Sequence, residues 1–158
     1  MAKTITLAKA LKIKNRLAGR LTDAQANIDA YNSVLEGRVG EVDVAKLWEF
    51  RKQLVDGLIT LKTAISDANN KQRRDLYEIE EVRGTIAFLK GLNTRHGSEP
   101  AYGLQGTDQL YVATLKKKDV DAEVKRLETR LDELQDKIDA YNGMSRIEVD
   151  ERIFELVS

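Results

Sequence analysis

The sequence predicts an all-α fold: long antiparallel helices in a bundle of four main helices, with a small β-hairpin insert before the last long helix. Three observations carry this expectation. From Lys118 to Asn142 the apolar residues Val120, Val124, Leu127, Leu131, Leu134, Ile138 and Tyr141 follow at alternating steps of four and three. That is an a/d heptad seam, which buries one narrow stripe against neighbouring helices. Charged residues make up 33% of the chain and aromatics 6%, with one Pro and no Cys, a composition typical of bundles and coiled coils. Between Thr94 and Lys117 the helical period fails, and glycines, the only His and the only Pro collect there. At 158 residues the chain fits one domain spanning 1–158.

The first helix begins at Leu7, with Thr4 or Thr6 as its cap. Leu7, Leu11, Ile13, Leu17, Leu21, Ala24, Ile28, Tyr31 and Leu35 recur at helical spacing, and the helix is expected to stop near Glu36-Gly37. It would run about 29 residues, roughly 43 Å. Asp43 caps the second helix, whose stripe Val44, Leu47, Phe50, Leu54, Leu58, Leu61, Ile65 and Ala68 is widened by Trp48, Val55 and Ile59. So wide a stripe predicts two neighbours or a second chain. Asn69-Asn70 ends this helix, since Asn tolerates a left-handed cap, and Lys71 to Arg74 reads as a polar loop. Asp75 then caps a third helix through Leu76, Ile79, Val82, Ile86, Leu89 and Leu92, bracketed at its end by Gly91 and Gly97.

The insert, 94–117, predicts a loop with a short strand or hairpin, because Leu110 to Leu115 is a β-leaning run. A loop of this length in a compact bundle is often functional. The tail, 143–158, is too apolar for disorder and is expected to dock as a short strand or helix. There is also an internal echo: RLTDAQANIDAYN at 20–32 and RLDELQDKIDAYN at 130–142 agree at eight of thirteen positions. Duplication of a helical hairpin and convergence on the same heptad and stop signals both explain it.

Lys+Arg and Asp+Glu are both 26, so overall charge gives no argument for nucleic acid or membrane binding. The distribution is uneven: residues 119–158 hold 12 acids and 6 bases, a net of −6. The first helix starts basic, with Lys9, Lys12, Lys14, Arg16 and Arg20, and it is expected beside the acidic fourth helix. No apolar run approaches the roughly 18 residues of a membrane span. The N-terminus lacks a continuous apolar h-region, so no signal peptide is expected, and a chain without Cys is compatible with the cytoplasm.

The chain has no H-E-x-x-H, P-loop, G-x-G-x-x-G or G-x-S-x-G motif. One His cannot supply a di-iron bundle, so no metal or cofactor is expected. Glu78, Glu80 and Glu81 read as a solvated face, and no nucleophile and base stand together, so no enzyme is predicted. Binding is easier to argue. Arg73 and Arg74 precede a helix N-terminus, where anions are favoured. Thr94, Arg95, His96 and Ser98 offer donors, Tyr102 and Tyr111 can stack on a flat ring, and Lys116, Lys117 and Lys118 can meet phosphate. Trp48 and Arg51 share one face of the second helix. The candidate ligand set is therefore Arg73, Arg74, Arg95, His96, Tyr102, Tyr111 and Lys116, for a small anionic, nucleotide-like ligand.

Three stretches carry a family resemblance. Leu7-Ala8-Lys9-Ala10-Leu11 before a basic helix, Ile65-Ser66-Asp67-Ala68-Asn69 at the end of the second helix, and Leu110 to Thr114 followed by Asp119-Val120 are similar to the septicolysin-like family of small helical bacterial and phage proteins. The likeness spans roughly residues 4 to 142. Ser66 and Ala68 stand where that family has Asn and Thr in I-N-x-T-N, so Ile65 and Asn69 are the positions that carry over. The resemblance implies a helical fold with a small hairpin, an oligomer, and no established activity.

Together these readings predict a non-enzymatic homo-oligomer that binds or sequesters a small anionic ligand near the insert, as a phage signal-sequestering protein would. The alternative is a structural or protein-interaction module acting through its helical seams. A pore-forming septicolysin-like protein and an unrecognised hydrolase are the further alternatives, but nothing in the chain resembles a membrane-inserting segment.

Overall fold

A threonine joins the first strand to the first helix and sets the pattern of the fold. The computed structural model describes residues 1–99 and 108–158. In order these form β1 (Ala2–Thr6), α1 (Leu7–Tyr31), α2 (Val44–Ala68), a 3₁₀ turn (Asn69–Gln72) and α3 (Arg73–Gly91), then β2 (Gly97–Glu99), β3 (Gln109–Tyr111), α4 (Lys117–Met144), β4 (Arg146–Asp150) and α5 (Glu151–Val157). The protein is predominantly helical, as the heptad pattern predicts. Its contacts group into two compact units within 1–158: residues 1–72 with 139–158, and residues 73–138.

The first unit begins with a strand that the sequence did not lead one to expect. β1 pairs antiparallel with β4, setting Ile5 opposite Ile147 and Lys3 opposite Val149. Ile5, Ile147 and Val149 are all buried, so the ribbon turns one apolar face to the core. Nothing local in five residues announces this strand; its partner lies at the far end of the chain. Thr6 ends the strand and caps α1, its Oγ1 accepting the Lys9 N–H at 3.1 Å. The apolar tail, expected as a strand or a helix, supplies both β4 and α5.

α1 and α2 run antiparallel, with Leu17 beside Gly57 and Gln25 beside Arg51. Leu7, Ala10, Ile13, Leu17 and Ala24 from α1 meet Leu54, Leu58, Leu61 and Ile65 from α2, and Ile153 of α5 joins them. Burying each such Leu or Ile contributes roughly 1.5–3 kcal/mol. A Cβ on Gly57 would stand 3.1 Å from Leu156 Cδ1, so α5 packs closely on α2 here and a larger residue would make Leu156 shift. Within this unit α1 packs along α2. Apolar area decides here, because an exposed ion pair contributes only about 0–1 kcal/mol.

Two boundaries differ from the sequence reading. α1 stops at Tyr31 rather than near Glu36. Leu35, which would extend the stripe, is exposed and has nothing to bury against, and Gly37 turns the chain at φ +81°. Asp43 caps α2 as expected, accepting from Lys46 N–H at 3.1 Å. Asn69, however, keeps a right-handed backbone, φ −74°, and the expected loop from Lys71 to Arg74 does not form. The chain passes through the 3₁₀ turn directly into α3. Side chains hold this turn. Gln72, the one buried polar residue among those described, donates through Nε2 to Asn69 Oδ1 and Asn142 Oδ1, each at 2.8 Å. Tyr141 Oη donates to the Ala68 carbonyl at 2.6 Å, satisfying one of the carbonyls that a helix end leaves open. Asn69 thus has a structural role in this turn.

The second unit is a pair of antiparallel helices, α3 and the greater part of α4, closed by the β2–β3 hairpin. Asp75 meets Lys137 at 2.9 Å and Lys90 meets Glu128 at 3.2 Å, which fixes the direction of the pair. Val120, Val124, Leu127, Leu134 and Ile138 of the predicted seam are buried. The cluster they help form is small: Ile79, Leu134 and Ile138, flanked by Leu76 and Leu131.

Candidate functional site

The hairpin is built from short-range chemistry. Asn93 Oδ1 accepts the Arg95 N–H at 3.1 Å, a local turn that ends the exit from α3. Gly97 takes φ +109°, where a side chain would be strained. β2 and β3 then pair antiparallel over three positions, Gly97 with Tyr111, Ser98 with Leu110 and Glu99 with Gln109. His96 Nδ1 accepts the Ala113 N–H at 3.1 Å, a role open only to an unprotonated ring nitrogen. The Arg95 guanidinium lies 5.4 Å from the centroid of the Tyr111 ring, within cation–π range. Tyr111 Oη donates to Gln109 Oε1 at 3.0 Å.

The hairpin therefore brings three of the expected ligand residues together: Arg95, His96 and Tyr111. Lys116 follows them closely in the chain and stands just before α4, its carbonyl accepting the Val120 N–H at 3.0 Å. Tyr102 lies outside the described residues. Arg73 and Arg74 do not join this group. They sit in the first turn of α3 rather than before it, and the length of that helix separates them from its other end by about 27 Å at roughly 1.5 Å per residue. The expected ligand set is thus divided along α3. Arg74 acts instead on its own helix face. The Glu78 carboxyl is held below its usual value, first by a hydrogen bond from Arg130 and in part by the charge of Arg74.

What stands out at the hairpin end is apolar. Phe88 is 63% exposed, Leu110 74%, Val112 77% and Leu115 53%. Next to them, a cleft of about 460 Å³ between the end of α3 and the start of α4 has Leu89, Leu92, Val120 and Val124 among its walls. Lys90, Lys117, Lys125, Asp121 and Glu128 form its polar border. Phe88 was missed from sequence because it lies off the α3 stripe. Its signal was available: a Phe on the polar side of an otherwise charged helix. Of the β-leaning run Leu110 to Leu115, only Leu110 and Tyr111 lie in a strand, β3 (Gln109–Tyr111).

Among the described residues no group of three or more His, Cys, Asp or Glu side chains converges to hold a metal. Shifted acidities belong to ion pairs: Glu78 with Arg130, Glu123 with Arg126 and Asp150 with Arg152. No helix among the described residues is long and apolar enough to cross a membrane. Comparison of the chain with known protein families, curated proteins and solved structures finds no match, so the site is read from its own geometry.

Proposed function

We propose that the protein is a non-enzymatic, cytoplasmic binding module that assembles as a homo-oligomer, two copies meeting through the hairpin end of residues 73–138. The observation that supports this most is the group Phe88, Leu110, Val112 and Leu115, each more than half exposed, beside an apolar cleft. Large apolar side chains left this exposed at one helix end and in the strand segment that follows suit an interaction site. Covering it is favourable by roughly 25 cal/mol per Å² removed from water.

A second copy is the occupant that best suits the local structure. β2 and β3 form a two-stranded ribbon, and such a ribbon is marginal by itself. Pairing two hairpins edge to edge extends the sheet to four strands and covers the same apolar side chains. A two-fold interface uses one patch twice. Lys116, Lys117 and Lys118 stand next to Asp119 and Asp121, so the rim carries both signs and can complement itself. On this reading Arg95, His96 and Tyr111 shape the hairpin. A small anionic ligand held by the whole expected set would need Arg73 and Arg74 at the same end of α3. Light scattering over a dilution series tests the assembly. The expected result is a mass above the 17.8 kDa of one chain that falls on dilution; 17.8 kDa at every concentration contradicts it.

A further inference from the structure

A second cleft, of about 350 Å³, lies between α1 and α2 in the first unit. Gln25 and Asp29 of α1 and Asn32 at its C-terminal cap fall at helical spacing on one face. Trp48 and Arg51 face them from α2, three residues apart. The cleft is roughly at the lower end of the ~300–1,000 Å³ range of small-molecule sites.

Its chemistry is specific. Trp48, the only tryptophan of the chain, is 48% exposed. The Arg51 guanidinium lies 5.5 Å from its ring centroid. Nε and Nη2 of Arg51 both donate to Gln25 Oε1, at 3.1 and 2.9 Å. The guanidinium is thus fixed by a neutral partner, and among the described residues Nη1 has no hydrogen-bond partner. The Asp29 carboxylate and the Asn32 amide line the same cleft, and neither forms an ion pair or side-chain hydrogen bond among the described residues. A simple cation would meet Arg51, and a simple anion would meet Asp29. A neutral flat ring avoids both conflicts if its edge offers an acceptor next to donors.

Guanine has that edge: O6 accepts, while N1–H and the 2-amino group donate. We propose that this cleft binds a guanine base. The ring stacks against the exposed indole of Trp48, as bases do on aromatic side chains. The Asp29 carboxylate accepts from N1–H and the 2-amino group, and Arg51 Nη1 donates to O6. Adenine fits poorly. Its 6-amino group meets the Arg51 donors, and its N1 offers a lone pair to the Asp29 carboxylate. Binding here is independent of the assembly reading, which concerns the other unit.

Because Trp48 is the only tryptophan, its fluorescence reads this cleft directly. Guanosine monophosphate is titrated against adenosine monophosphate, which shares its ribose and phosphate, using the full chain and Asp29→Asn. The expected result is saturable quenching by the guanine nucleotide, with the adenine nucleotide about tenfold weaker, as the loss of a bidentate contact implies. Asp29→Asn, an exposed change that leaves the fold intact, should weaken guanine binding by about tenfold and ease the clash with adenine N1, so that the preference for guanine is lost. The proposal is overturned by an absence of saturable quenching, by equal binding of the two nucleotides, or by unchanged guanine binding in Asp29→Asn.

Discussion

Both units of the chain are organised around an antiparallel pair of helices, but they are held together differently. Residues 1–72 with 139–158 gather thirteen buried apolar residues from two helices, a ribbon and a short third helix into one cluster. Residues 73–138 have a cluster of three buried residues and cross-helix ion pairs at Asp75–Lys137, Glu78–Arg130 and Lys90–Glu128. The difference follows from neighbours. A helix pair alone buries a single seam, whereas a third layer against that pair closes a core. β4 and α5 supply this layer in the first unit. In the second, the apolar residues left over, Phe88, Leu110, Val112 and Leu115, are exposed.

This contrast places the largest effects in the first core. Leu54 is fully buried, and Leu54→Ala should cost about 4 kcal/mol, near the top of the range for such truncations. Leu134→Ala, in the thinner seam, should cost about 2–3 kcal/mol, because the surroundings can collapse further. Urea unfolding of both variants measures the difference, and equal costs would break the contrast.

The repeated sequence at 20–32 and 130–142 sharpens the comparison at the scale of one hydroxyl. Tyr141 Oη donates to the Ala68 carbonyl at 2.6 Å, partly buried, whereas Tyr31 Oη reaches Glu41 at 3.4 Å in the open. Tyr141→Phe should lose about 1 kcal/mol and Tyr31→Phe almost nothing. Whatever its origin, the echo has been put to two different uses.

Smaller again is the ionic contribution. Arg130 donates to Glu78 at 2.8 Å, but its side chain is 42% exposed. Arg130→Met should cost less than Tyr141→Phe, and the loss should shrink with added salt. An acid titration reads the first unit in the same terms. Arg152 binds Asp150 through its side chain and its backbone N–H, and holds this carboxyl down to about 2 from 3.8. A lowered folded pKa means stability that is present above 3.8 and lost as pH falls towards about 2. Asp150→Asn should flatten that part of the acid melting curve, followed by circular dichroism.

Much of this was legible residue by residue. The seam at 120–138 needs only periodicity, and Thr6 and Asp43 cap helices through their own side chains. β1 was not legible, because its reason for being a strand is β4, more than a hundred residues away. The tight turn at Asn69–Gln72 was hidden for a similar reason: Asn142 and Tyr141, which secure it, come from the other end of the chain. At the hairpin, residue type pointed to Arg95, His96 and Tyr111. Helix length alone set Arg73 and Arg74 apart from them. The exposure of Phe88, Leu110 and Val112 is a tertiary property, and periodicity cannot report it. Gln25, Asp29 and Asn32 share a face by spacing, but their pairing with Trp48 and Arg51 needs α2 beside α1.

The assembly through the hairpin end is tested most directly by sedimentation of the double variant Leu110→Asp, Val112→Asp beside the unaltered chain. Both positions are exposed, so the fold should survive, with helicity unchanged by circular dichroism. The account predicts that the unaltered chain sediments as an oligomer and the variant as a 17.8 kDa monomer. A variant that sediments identically to the unaltered chain would contradict it.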